Sequence, residues 1–235
     1  MSSNSALLVL FFCFSKILVG QTNYLPSISI TANTGPATYW NKKITNVGFV
    51  HDYQYGQMNS IGFNTKFPIQ AVSLTFGLEY QYLFFNYRGV GPFSQELQQI
   101  QTIYRYKGIQ HVIAAPISLN YSINDKYSLG LAFTPRYILS SKDDYVKEGV
   151  GILNASDEET INRNSSNWNK FQLLGGLVFS RNFNLKSGNQ FYVHLSTNIS
   201  LTNPGGTDVF VAPLSTPEVK SRLVSGQLGI SYALN

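Results

Sequence analysis

His194-Leu195-Ser196 puts an imidazole and a hydroxyl two residues apart. On an extended strand such neighbours share one face, and a serine whose proton a nearby base removes is a nucleophile for acyl transfer. Spacing identifies no acid that would orient the base, and both residues fall on the polar face, so ordinary hydrogen bonding between polar strand residues is the preferred reading of the pair. His51 and His111 stand far from His194 and from each other, without the i, i+4 spacing of a helical ligand pair, and give no transition-metal motif. Six of the twelve acids crowd one stretch: Asp143, Asp144, Glu148, Asp157, Glu158 and Glu159. Hard cations take clustered carboxylates, but the Asp, Asn and Gly spacing of a calcium loop is missing, and the stretch reads as a solvated acidic loop. Gly91-Pro92 and Pro204-Gly205-Gly206 signal turns and lie in no phosphate-loop context. No metal or cofactor is expected.

The elements that must position these residues follow from an unusual balance: 14% of the 235 residues are aromatic and only 12% charged, about half the charge of an ordinary soluble domain. Disordered chains show the reverse. Residues 6–14 form an apolar run too short to span a bilayer as a helix, and residues 1–20 read as a signal peptide. Its removal would take Cys13, the single cysteine, and leave no thiol chemistry. Lys and Arg are scattered singly, which discounts nucleic acid as a partner despite the net charge of +5.

Period-two alternation then recurs along the chain. In residues 72–84, Val72, Leu74, Phe76, Leu78, Tyr80, Tyr82 and Phe84 share one face, opposite Ser73, Thr75, Gly77, Glu79 and Gln81. That run is about twice the length of a soluble strand and long enough to cross a membrane. The same pattern marks strands near 47–55, 61–67, 113–121, 127–133, 171–179, 191–201 and 224–234. The expected fold is an all-β, eight-stranded antiparallel up-and-down transmembrane β-barrel over residues 44–235, with residues 21–43 as a periplasmic lead-in. Links near 68–70, 124–126 and 182–189 are short. Those at 87–109, 141–168 and 203–220 are long, the asymmetry of periplasmic turns against outer loops; the first outer link, 56–59, is the short exception. Tyr and Phe cluster at strand ends as interface girdles do. The polar parity carries Asp52, Lys66, Glu79, Gln81 and Arg136 into the lumen, where opposite charges are expected to pair and fill it.

The stretch His111-Val112-Ile113-Ala114-Ala115-Pro116-Ile117-Ser118-Leu119-Asn120-Tyr121, followed by a tight polar turn and the Gly-centred Tyr127-Ser128-Leu129-Gly130-Leu131, resembles the outer-membrane protein β-barrel domain family of Gram-negative bacteria. The resemblance covers about residues 44–234, and it implies a small barrel in the outer membrane. The ending Tyr232-Ala233-Leu234-Asn235 departs from the aromatic terminus usual there. His194-Leu195-Ser196 is also similar to the His-x-Ser of outer-membrane lipid A deacylases. The expected function is that of a non-enzymatic, monomeric barrel that contacts outer-membrane lipid and acts through its outer loops on an extracellular protein or glycan. The alternatives are a narrow small-solute channel and a deacylase-like membrane hydrolase using His194 and Ser196.

Overall fold

An alternating chain buries one face only if its strands close on one another, because any edge left in lipid strands unpaired amides. The computed structural model describes residues 26–40, 50–53, 56–90, 101–150, 159–163, 168–185, 189–204 and 222–234. They form eleven strands, all paired antiparallel, and no helix. In chain order these are β1 (Ser27–Trp40), β2 (Val50–Tyr53), β3 (Gln57–Ile69), β4 (Val72–Val90), β5 (Gln101–Ala114), β6 (Ile117–Ser122), β7 (Tyr127–Val150), β8 (Glu159–Arg163), β9 (Phe171–Asn184), β10 (Gln190–Ser200) and β11 (Arg222–Leu234).

The ring runs β1, β3, β4, the β5–β6 pair, β7, β9, β10 and β11, and closes where β11 pairs with β1 from Ile28↔Leu234 to Trp40↔Arg222. β5 and β6 are one stave. Pro116 has no N–H to donate, so the ladder is interrupted at 115–116, yet Ala115 N donates to Pro135 O at 2.9 Å and Gly77 N to Pro116 O at 2.8 Å. The barrel therefore has eight staves.

Two expectations are corrected. Residues 21–43 are not a lead-in, because they contain β1, a full stave hydrogen-bonded to β3 on one side and β11 on the other. Conversely, residues 47–55 do not supply the stave beside β4, which is β3: among the described residues of that stretch Val50–Tyr53 is a strand, and it pairs with the far end of β4, beyond β3. Parity is preserved, since one stave replaces the other. The first outer connection becomes residues 41–56, so all four outer connections are long and the three opposite ones are short. Residues 1–20 lie outside the described residues.

The three turns explain their own tightness. Asn124 Oδ1 accepts from the amides of Lys126 and Tyr127, both at 2.9 Å, an Asx turn that joins β6 to β7. β3 and β4 are joined by Gln70 and Ala71 alone, with Gln70 at a φ of 53°. Leu185 N donates to Asn189 O at 2.9 Å across the third turn.

Outside, the ring is sheathed in apolar side chains, among them Ile61, Phe63, Leu78, Leu119, Leu131, Leu177, Leu195 and Leu228, each more than half exposed. A soluble protein does not expose so continuous a belt. On β7 it runs from Leu129 to Leu139, about the 9–11 residues of a membrane-crossing strand. Aromatics bound it at both ends. On the outer side His111 lies against Tyr80 and Tyr82, with the Tyr80 hydroxyl hydrogen-bonded to His111 Nδ1. On the turn side Tyr127 stacks on Phe179, and the Arg181 guanidinium covers Tyr127 and Phe183 at 5.5 and 4.7 Å.

Candidate functional site

Inward-facing residues divide the lumen at mid-height. Towards the outer end lies a plug of Ala37, Tyr39, Met58, Leu83, Phe85, Val112, Ile138, Trp168, Leu174 and Leu223, all buried. Its centre is aromatic: Tyr39 meets Phe85 edge-on at 5.4 Å and Trp168 at 4.8 Å, and Phe85 meets Trp168 at 5.6 Å. The Tyr39 hydroxyl donates to Gln110 Oε1 at 2.9 Å, so the plug is tied to the β5 wall. An eight-stranded ring has room for little beyond its own side chains, and here they fill it.

Towards the turn end the same ring is hollow. A cavity of about 150 Å³ is walled mainly by Ser, Thr and Asn side chains, with Lys66, Glu79, Gln81, Tyr192, His194 and Ser196 among them. Lys66 Nζ lies 5.0 Å from the Tyr192 ring, bridging from β3 to β10. Deeper, Asn33 Nδ2 donates to Ser60 Oγ at 2.8 Å and to Glu79 Oε1 at 3.3 Å, and Gln81 Nε2 donates to Glu79 Oε2 at 3.4 Å. His194 Nε2 meets Asn33 Oδ1 at 2.5 Å.

These positions test the expected lumen residues one by one. Glu79, Gln81 and Arg136 are buried inside the ring, and Lys66 lines the cavity. Asp52 belongs to β2, which is not a stave and is paired with β4 outside the ring, opposite Arg88 in register. Among the described residues no ion pair joins Lys66, Glu79 or Arg136 to another group. Glu79 is satisfied by amides instead. Arg136 is 1% exposed, and its three side-chain nitrogens find no hydrogen-bond partner among the described residues. What closes the barrel is the apolar plug, which alternation alone hid. Its signal was nonetheless present, because Tyr82-Leu83-Phe84-Phe85 is apolar on both faces.

The acidic stretch is not simply a loop. Asp143, Asp144 and Glu148 lie on β7, which continues past the lipid belt, and Glu159 opens β8. In register Asp143 stands opposite Arg163, Asp144 opposite Lys107 and Lys147 opposite Glu159. Asp157 and Glu158 lie outside the described residues. The far ends of β4, β5 and β7, with β2 and β8 added at the flanks, make a five-stranded sheet beyond the ring in the order β2, β4, β5, β7, β8. A register shift between His111 and Val112 against β7 marks where this sheet leaves the barrel, the place where bulges bend barrel rims.

His194 and Ser196 both line the cavity. Among the described residues no hydrogen bond joins them, and His194 is engaged by Asn33.

A closed antiparallel ring with an apolar, aromatic-bounded exterior, and an interior that is polar towards the turns and filled by an apolar plug towards the other end, is an outer-membrane β-barrel. No family model and no curated protein matches the chain. Among solved structures it is similar to Ail, the attachment invasion locus protein of Yersinia pestis, determined with the heparin analogue sucrose octasulfate: 12% identity, 90% of this chain and 100% of that one, TM-score 0.39. Neisserial surface protein A gives 10% identity, 88% and 98%, and 0.37. The outer membrane protease OmpT of Escherichia coli gives 11%, 89% and 96%, and 0.36. At such scores none of these likenesses bears on what this chain binds, cleaves or carries.

Proposed function

We propose that the chain is a non-enzymatic surface-interaction protein whose working part is the sheet of β2, β4, β5, β7 and β8 that rises past the lipid belt. The observation that supports this reading is the length of the staves. β7 has 24 residues and β4 has 19, whereas about 9–11 cross the hydrocarbon. Strand pairing that continues far beyond what anchoring needs presents a hydrogen-bonded platform, and recognition is commonly carried on segments held by such scaffolds. The continuous antiparallel pairing of β7 with β5 and β8 supports the platform further. A channel is disfavoured by the plug, and a hydrolase by the engagement of His194 with Asn33.

Deletion of residues 142–167 tests the reading. The shortened hairpin should still insert and show heat-modifiable migration, because the lipid-facing part of β7 ends at Leu139. Cells displaying it should lose binding to immobilised extracellular protein or glycan that cells displaying the intact chain retain. Equal binding by both would overturn the proposal, as would a lipid deacylase activity of the purified barrel that Ser196→Ala removes.

A further inference from the structure

The two halves of the lumen have the same ring size, yet one is filled and the other hollow. The hollow is built by glycine. Four cavity-lining asparagines each stand directly opposite an inward-facing glycine of the adjacent stave: Asn33 and Gly229, Asn64 and Gly77, Asn120 and Gly130, Asn198 and Gly176. A Cβ on any of these glycines would overlap the oxygen of its asparagine. Glu79 and Gly62 repeat the arrangement, with the Glu79 side chain against the glycine. Each polar side chain therefore lies back along the wall instead of reaching across the lumen. In the outer half the opposite solution appears, since Gly108 makes room for the Phe85 ring to reach inward and fill the space.

We propose that the turn-side half of the lumen is a binding cup for a small neutral polyhydroxylated solute, a monosaccharide or smaller polyol, entering from the periplasmic side. The cup is stopped at mid-barrel by the plug, so it receives without conducting. Its volume corresponds to on the order of ten water molecules. Its wall offers amides and hydroxyls, which both donate and accept, as each hydroxyl of a polyol does. Two buried wall atoms are without a partner among the described residues: Gln81 Oε1, an acceptor, and Gln227 Nε2, a donor. Both side chains are more than nine-tenths buried. A buried polar group left unmatched is costly, and one donor with one acceptor fits a hydroxylated ligand better than an ion of either sign. Lys66 and Glu79 in the same cup oppose selection of an anion or a cation.

The test uses the intact barrel in detergent micelles, titrated with D-glucose and glycerol by saturation-transfer NMR, with glutamate and lysine as charged comparators. Saturable binding of at least one polyol, and weaker binding of both amino acids, is expected. Gln227→Leu should weaken it roughly tenfold, the effect of one lost hydrogen bond. Ala132→Leu, which fills the cavity from β7, should abolish it, with heat-modifiable migration confirming the fold. Ser196→Leu fills the same space from β10 and replaces Ala132→Leu should that variant fail to fold. The proposal is overturned if neither polyol binds saturably, if binding survives filling, or if a charged comparator binds better. Deletion of residues 142–167 should leave polyol binding unchanged, so the cup and the outer sheet fail independently.

Discussion

Arg136 brings a guanidinium into the ring between Ala114 of β5 and Gln172 of β9 in register, beneath an aromatic plug that offers it no carboxylate. A buried charge without a partner destabilises by several kcal/mol, and apolar replacements of buried charges have stabilised proteins by about 1–4 kcal/mol. Arg136→Met should therefore raise the urea midpoint of unfolding by a stabilisation in that range; a lower midpoint would show that the guanidinium has a partner after all. Gln70 illustrates a smaller strain. At a φ of 53° it occupies the left-handed region, which costs a side-chain-bearing residue about 1–2 kcal/mol while glycine adopts it freely. After the entropy that glycine adds to the unfolded chain, Gln70→Gly should stabilise by up to about 1 kcal/mol, read from the same titration. A destabilised variant would mean that Gln70 makes a compensating contact. Residue types told much of this in advance. The inward parity of Glu79, Gln81 and Arg136 was readable from alternation, but which of them would meet a partner depended on three-dimensional neighbours that spacing does not encode.

Gly108 and Phe85 tie one stave to its neighbour within the plug. Because Phe85 is 2% exposed, its ring cannot swing aside when a side chain appears at Gly108. Gly108→Val should cost about 1–3 kcal/mol, the usual range for overpacking, and Phe85→Leu in the same chain should recover part of it. Additive losses in the double variant would refute the contact. Staves were also where reading the sequence went astray. β1 alternates, but its outward residues after Ile30 are Ala32, Thr34 and Pro36, too weakly apolar to signal a lipid face, and Gly35-Pro36 looks like a turn. The structure resolves this through pairing: β3 stays in register through Gly35↔Met58 and Pro36↔Gln57, whereas the β11 ladder skips from Thr34↔Leu228 to Ala37↔Ser225. Around 47–55 the alternation is stronger, yet its described part, Val50–Tyr53, pairs with the far end of β4 in the projecting sheet and not with a stave of the ring.

For the molecule as a whole, eight staves and a mid-barrel plug make conductance a clean readout. The intact barrel should show no stable conductance in planar bilayers, and combined Tyr39→Ala, Phe85→Ala and Trp168→Ala should produce small, frequent openings, because the cup already reaches the plug from the other side. A silent triple variant that still shows heat-modifiable migration would place the seal elsewhere. The ring seam has a separate consequence for biogenesis. β1, the first stave, has β11, the last, as one of its two neighbours, with Ile28 opposite Leu234. No partial chain can satisfy both margins of β1, and the contacts that do so are among the most distant in sequence that this fold contains, which slows their formation. A polypeptide interrupted before Arg222 would display two raw margins, one on β1 and one on β10, to the lipid or to the periplasm. The seam thus works as a completeness check, in which only a chain that has reached β11 can hide its last open edge.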